Sequence, residues 1–253
     1  MYTSIHHVED GVFMKAFYPR KQIINSSKGE QVVAELRMRI ISRAIEPETV
    51  LSENQLAKEF QVSRSPIREA LKVLSSENIV RPERMGAVVI GISEKDIEEI
   101  YDVRLMMESF TFQRLLDMDN ASLINDLEKV VEMMKIAIKY KDVDQFSFLD
   151  MEFHETIIRS INHHYIAMLW TNLKPVMECL ILLSMRYRMQ EDENDFERII
   201  ENHRLIVESI KNKDADLVNN AFYKNFNDVQ NRVESIWSDD ERMKIVRESI
   251  ESK

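Results

Sequence analysis

Cysteine is nearly missing from this chain. Cys179 is the single one in 253 residues. That excludes an intrachain disulfide framework and leads us to expect a reducing, cytoplasmic compartment. Glycine is almost as scarce. Gly11, Gly29, Gly86 and Gly91 are the only four, and beyond residue 91 the one helix-breaking residue is Pro175. A stretch of about 160 residues with neither glycine turns nor frequent proline reads as helix. The N-terminus lacks an apolar run long enough for a signal peptide or a membrane span, so no membrane partner is expected. Phosphate-loop, nucleophile-elbow and adjacent nucleophile–base patterns are also lacking, so no enzyme activity is expected. Internal repeats and low-complexity tracts are not found.

The excess of acid is confined to one part of the chain. The formal net charge is −10, but residues 26–92 hold ten Lys/Arg against nine Asp/Glu. Residues 1–25 carry +1 and residues 93–253 carry −12. An acidic C-terminal domain can coexist with a locally basic DNA-reading face. We therefore divide the chain into an arm (1–25), a DNA-binding domain (26–92), a helical domain (93–240) and a tail (241–253), with the arm read as loose.

Within 26–92 the order of elements is informative. Residues 28–45 space Val32, Val33, Leu36, Ile40 and Ile41 as a helix with one buried face, leaving Arg37, Arg39 and Arg43 off it. Ser52 followed by Gln55 reads as a capping box opening a second helix, in which Leu56, Ala57 and Phe60 face inward. A further helix starts at Ser63 or Ser65, with either hydroxyl as cap and Pro66 tolerated in its first turn. Ile67, Ala70, Leu71 and Leu74 form its buried face. Arg64, Ser65 and Arg68 remain at its exposed N-terminal end. Residues 79–82 and 87–91 read as a two-strand wing, with Arg81, Arg84 and Gly86 in or beside its loop. There glycine suits a tip that needs positive φ or a close approach to phosphate.

This order describes a winged helix-turn-helix, whose second helix enters the major groove of double-stranded DNA. Arginine there can bond guanine O6 and N7 with two parallel hydrogen bonds. The bland alternative is that Arg64 and Arg68 are solvated charges paired with neighbours such as Glu69. The order of helix, turn, helix and wing favours the reading role.

Beyond residue 92, helices are expected over about 94–116, 121–140, 143–162, 164–188, 194–212 and 214–236, with Ser93 and Asp214 as caps. The fold class is thus mainly α, a winged helix with a small β wing plus an all-α bundle. Asp150 and His154 are four apart and project from one helix face. His203 lies on a later helix among Ile199, Ile200 and Ile206. Asp and His at that spacing with a distant His form a candidate divalent metal site. The competing reading is an Asp–His pair satisfied inside the core. Arg104 shares an apolar face with Ile97, Ile100 and Tyr101, so its guanidinium needs a partner. Glu108 one turn on and the carboxylate of a bound effector are the two candidates. His163 and His164 fall at a helix junction and read as solvated.

The stretch LSENQLAKEFQVSRSPIREALKVL resembles the GntR family of bacterial repressors, in which L-x-E-x-x-LA precedes V-S-R-x-P-V-R-E-A-L. Carried over by that motif, DNA contacts fall on Asn54, Ser63, Arg64, Ser65, Arg68 and the wing at Gly86, with Arg84 beside it. Asn54 stands where the family often has Arg. Two glycines usual near the end of the first helix are replaced by Arg43 and Glu48. The strings EIYDVRLMMESF, DMEFHETIIRSI and ENHRLIVESIKNKD are similar to the helical effector domain of the FadR type. The resemblance covers about residues 28–236.

It implies a homodimer on a near-palindromic operator, released by a small carboxylate effector, gluconate. Hexuronate, lactate and acyl-CoA are the alternatives. It also implies a third histidine on the last helix of a metal site, where Asn225 stands here; with the residues read above, the candidate effector contacts are Arg104, Asp150, His154, His203 and Asn225. Asparagine is a weaker ligand than imidazole. Three readings therefore stay open: a weakly held hard metal, a metal bound only together with a carboxylate, and a metal-free polar cluster that grips a sugar acid directly. Two rival functions are a metal-dependent hydrolase, disfavoured by the winged helix, and an architectural DNA binder without ligand.

Overall fold

The computed structural model describes residues 17–214, together with residues 216, 217 and 244. A one-turn helix α1 (Arg20–Ile23) precedes α2 (Lys28–Ile41). Strand β1 (Val50–Ser52), α3 (Glu53–Glu59), α4 (Arg64–Ser76) and the hairpin β2 (Val80–Glu83) and β3 (Gly86–Val89) follow. Then come α5 (Glu94–Leu115), α6 (Ala121–Lys139), α7 (Val143–Ser160), α8 (His164–Glu191) and α9 (Asp195–Asn212). The expected helix at 214–236 lies mostly outside the described residues, and so does Asn225. Asp214 does accept the backbone N–H groups of residues 216 and 217, as a cap should.

The winged helix packs around its own core, which includes Leu36, Leu51, Ile67, Leu74 and Val89. Its sheet is antiparallel in the order β1-β3-β2. β1 was not anticipated. It is three residues long with only Leu51 buried, too short to show alternation. The β2–β3 register pairs Glu83 with Gly86, so Arg84 and Met85 form the loop. Gly86 is therefore the first residue of β3, opposite Ser52 of β1, and not the tip. A Cβ on Gly86 would lie 1.8 Å from the Leu51 carbonyl oxygen. The close approach of the strands by itself requires glycine there.

α2 departs from the expected single buried face. Val32, Leu36 and Ile40 join the winged-helix core, while Ala34, Met38 and Ile41 join the core of the helical domain. Arg37 and Arg39, expected off the buried face, are only 6% and 7% exposed. Each is neutralised: Arg37 by both Glu77 oxygens at 2.6 and 2.7 Å, Arg39 by Glu35 at 2.7 Å and Glu59 at 2.5 Å. A helix shared by two cores has no solvent face on which to leave its arginines.

The helical domain is a bundle whose core contains Phe146, Phe153, Trp170, Met177 and Phe196. By length and composition α8 could cross a membrane. It is a core helix here, and two of its residues, Arg186 and Arg188, are buried and paired with Asp144 and Asp195. Helix starts follow hydroxyl and carboxylate caps. Ser27 and Ser93 make full capping boxes with Glu30 and Asp96, and Asp142 accepts from Gln145. The expected box at Ser52 does not form; neither Ser52 nor Ser63 makes a side-chain cap bond. Ser63 is nonetheless the residue before α4.

Helix ends show how a chain short of glycine manages. Arg43, Gln61, Asn78, Lys141, Asn162 and Lys213 all take φ between 51° and 59° just past a helix, the position where glycine is the usual terminator. Arg43 (φ 56°) and Glu48 (φ 64°) are the positions read as replaced glycines.

Candidate functional site

Two candidate sites emerge, one on the surface of the winged helix and one sealed in the bundle. At the first, α3 and α4 are joined by the turn Phe60–Ser63. Val62 donates its N–H to Ala57 and Gln61 takes the left-handed conformation. Ile67, Ala70, Leu71 and Leu74 anchor α4. Ser63, Ser65 and Asn54 are exposed beside its N-terminus. The hydroxyls spend no hydrogen bond on capping, and α4 has no acidic residue in its first turn. This end is electrically suited to a phosphate. Arg84 is exposed in the wing loop.

Arg64 and Arg68 are half-exposed, at 43% and 54% of their side chains. Both lie against one carboxylate oxygen. Glu53 Oε2 accepts from Arg64 Nε and Nη2 at 3.1 and 2.7 Å, and from Arg68 Nε at 2.8 Å. The expected bland partner of Arg68, Glu69, is instead paired with Lys72. Hydrogen bonds from Arg64, then Arg68, hold the Glu53 carboxyl below the usual range. Its backbone N–H reaches the Met85 carbonyl in the wing loop at 3.3 Å. Glu53 thus ties the turn of the wing to the two arginines and fixes how they leave α4. The sequence reading missed it. The signal was the acidic residue of LSE at the start of α3, but its partners lie 11 and 15 positions away.

At the second site, Asp150 and His154 on α7 and His203 on α9 come together. One ligand atom from each lies within 4.8 Å of the others, and all three residues are buried. His203 Nδ1 lies 2.8 Å from the Ile199 carbonyl, so this nitrogen carries a proton and donates it, which turns Nε2 into the cluster. That Nε2 faces Asp150 Oδ1 at 3.2 Å. Neither Asp150 oxygen, nor His203 Nε2, has a hydrogen-bond partner among the described residues. A sealed carboxylate facing an imidazole nitrogen needs a cation between them, a proton on Nε2 or a metal ion.

His154 is oriented from behind. Its Nδ1 is 2.7 Å from Glu108 Oε2, and the other Glu108 oxygen accepts from Arg104 Nε at 2.6 Å. Burial lowers the His154 pKa, with Arg104 adding to the effect against the pull of Glu108. Burial pushes the Asp150 carboxyl up, but His203, His154 and Arg104 outweigh it and bring it to about 2. Two histidines, each with one nitrogen committed to an acceptor, plus a carboxylate form a donor set suited to a divalent cation. Phe153 seals the group, with its ring 4.6 Å from that of His203.

Of the two partners expected for Arg104, the structure supplies Glu108. Glu108 was read only as that partner; its bond to His154, 46 positions away, was not foreseen. His163, read as solvated, is half-buried. It caps α8 by accepting from Ile166 and packs edge-on against Phe110.

A winged helix-turn-helix joined to an all-helical domain with an enclosed polar cluster defines a DNA-binding transcriptional regulator with a sensing domain. Residues 28–90 match the bacterial regulatory proteins of the gntR family and residues 99–228 match the FCD domain. The chain is 61% identical over 220 residues to the gluconate operon transcriptional repressor of Bacillus licheniformis, covering 87% of this chain and 90% of that protein. It is 58% identical to the repressor of the same name from Bacillus subtilis (strain 168), over the same shares. The solved structure of E. coli McbR/YncC superposes with a TM-score of 0.65 at 20% identity, covering 83% of this chain and 99% of that one, which supports the fold. The chain belongs to the GntR family, with an FCD domain following the winged helix.

Proposed function

We propose that the chain is a cytoplasmic repressor of a gluconate uptake and utilisation operon, released from its operator by gluconate. The observation that carries the sensing half is the buried Asp150–His154–His203 cluster, in which the Asp150 oxygens and His203 Nε2 have no hydrogen-bond partner among the described residues. Gluconate as the effector is supported by identity of 58–61% to repressors named for that operon. Asp150, His154 and His203 would hold a divalent metal, which would offer a Lewis-acidic anchor to the effector's carboxylate. Arg104 acts behind this set by fixing Glu108, which fixes His154. Hexuronate, lactate and acyl-CoA remain the competing effectors.

On the DNA side, Arg64 and Arg68 read base edges, while Asn54, Ser63, Ser65, Arg84 and the wing at Gly86 meet backbone or groove. A homodimer presents two such faces to a near-palindromic operator. Effector binding must favour a disposition of the two winged helices that no longer fits both half-sites, since a ligand shifts only equilibria it binds differentially.

The test is a thermal-shift titration with gluconate, hexuronates and lactate, with and without EDTA. Ligand that binds the folded state raises the melting temperature by mass action. A rise with gluconate that EDTA abolishes is expected. A rise with a different acid would replace the effector, and a rise indifferent to EDTA would remove the metal.

A further inference from the structure

The short segment ahead of α1, read as loose, is tied to the helical domain and to α2. Tyr18 is 6% exposed and sits in the core of the helical domain. Its ring meets Phe148 of α7 edge-on at 6.0 Å, and its hydroxyl lies 3.4 Å from Glu178 of α8. The backbone N–H groups of Phe17 and Tyr18 donate to the two oxygens of Glu35 on α2, at 3.1 and 3.0 Å. The Phe17 carbonyl accepts from Arg186 Nη1 on α8 at 3.1 Å. Arg186 is itself held by both oxygens of Asp144 on α7, at 2.7 and 3.1 Å. From Glu35 the chain of bonds continues through Arg39 to Glu59 in the last turn of α3. The neighbouring Arg37 grips Glu77, the C-cap of α4.

We propose that Phe17–Tyr18 is a strap coupling the sensing helices to the helix-turn-helix. α7 carries Asp150 and His154, and it is connected through Asp144, Arg186, the strap's peptide groups, Glu35 and Arg39 to the end of α3. Glu35, Arg39 and Arg186 are all under 9% exposed, so these charge-assisted bonds are shielded from water and directional. The strap contributes one acceptor to the helical domain and two donors to α2. A shift of α7 or α8 that withdraws Arg186 from the Phe17 carbonyl therefore removes one polar tie on α2, which then stays on the helical domain through Ala34, Met38 and Ile41 and is looser against it. Packing of Tyr18 against Phe148 and Glu178 makes the attachment two-state: the ring is either in its pocket or out.

The direction of this coupling rests on the ligand-release reading; its existence does not. The test uses the chain lacking residues 1–18. Its cut ends are self-satisfied, because Arg39 keeps Glu35 and Arg186 keeps Asp144. Arg186→Gln in the full chain, cutting only the far end, is the second variant in case the truncated chain does not fold. The first readout needs no ligand. Dyes on Lys72→Cys in α4 and Lys129→Cys in α6, both exposed, report inter-domain distance while the buried Cys179 stays unlabelled. The intact chain should give one narrow distance and both variants a broader or shifted one. The second readout is operator affinity with and without gluconate. An effector typically changes affinity about 5–150-fold; the variants should respond less than about twofold while keeping their gluconate thermal shift. An unchanged distance distribution, or an undiminished gluconate response in the truncated chain, overturns the strap. If the intact chain ignores gluconate, the effector reading fails instead, and the distance measurement decides the strap.

Discussion

The two sites use the same device under opposite conditions. On the winged helix, one carboxylate, Glu53, gathers two arginines at half-exposed positions. In the bundle, one carboxylate, Glu108, gathers an arginine and a histidine with no exposure of its own side chain. The difference lies in what solvent does to each. The Glu53 carboxylate is itself nearly buried, but the two arginines on it are half-exposed, so water screens their side of the bonds and competes for them. The Glu108 group is sealed, so each bond is hard to give up, and the geometry it imposes on His154 is rigid. A reading surface profits from arginines that can be handed over. A sensing site profits from ligands that stay put.

The comparison breaks first at Glu108. Glu108→Ala removes the carboxylate bonded to the buried Arg104, and breaking such a buried pair costs about 3–5 kcal/mol. At roughly 2–4 °C per kcal/mol for a chain of this size, calorimetry should show a fall near 10 °C or loss of folding. A change under about 1 kcal/mol would mean Arg104 finds another acceptor.

Next come Arg64→Ala and Arg68→Ala, each expected to weaken operator binding by about 1–3 kcal/mol in fluorescence anisotropy. The variants should keep the wild-type melting temperature. Equal losses on operator and random DNA would reassign them from base reading to phosphate contact.

His203→Ala removes one of the three donors of the Asp150–His154–His203 cluster. The wild-type melting temperature should rise on adding a divalent metal after chelation, and this rise should vanish in the variant. Glu108→Gln, milder than the alanine change, should weaken the same metal binding about 10–100-fold through His154. A metal-induced rise that survives His203→Ala would place the cation elsewhere.

Glu53→Gln sharpens the comparison from the other side. Stability should shift little in denaturant titration, because the arginines are already wet. Random-sequence affinity should rise as a negative charge leaves the face, while the preference for operator falls as Arg64 and Arg68 lose their common anchor. An unaltered preference would make Glu53 a bystander.

The smallest effect is expected at Arg43→Gly. Relief of a left-handed φ of 56° opposes the extra chain entropy of glycine, and the net gain should be under about 1 kcal/mol in denaturant titration.

Legibility followed locality. The helix-turn-helix and wing lie in one contiguous stretch, so Arg64, Ser65 and Arg68 could be placed from spacing and order. Asp150 and His154 were legible for the same reason, being one turn apart. His203 was found because a histidine among isoleucines invites explanation. What escaped depended on partners distant in sequence. Glu53 meets arginines from the next helix, Glu108 meets a histidine 46 positions on, and Tyr18 meets Glu178 across 160 positions. Caps failed at Ser52 because its backbone runs from β1 directly into α3, and the motif there records spacing but not side-chain aim. α2 misled because a one-face pattern was expected of a helix that two domains share.

The central claim is that a ligand in the bundle governs the grip of the winged helix on DNA. The most direct measurement is an anisotropy titration of a labelled fragment from a gluconate operon promoter with the metal-loaded protein, repeated at rising gluconate. The account predicts salt-sensitive, specific binding that weakens about 5–150-fold as gluconate saturates the protein. An operator affinity that gluconate leaves unchanged, in protein whose melting temperature it does raise, would contradict it.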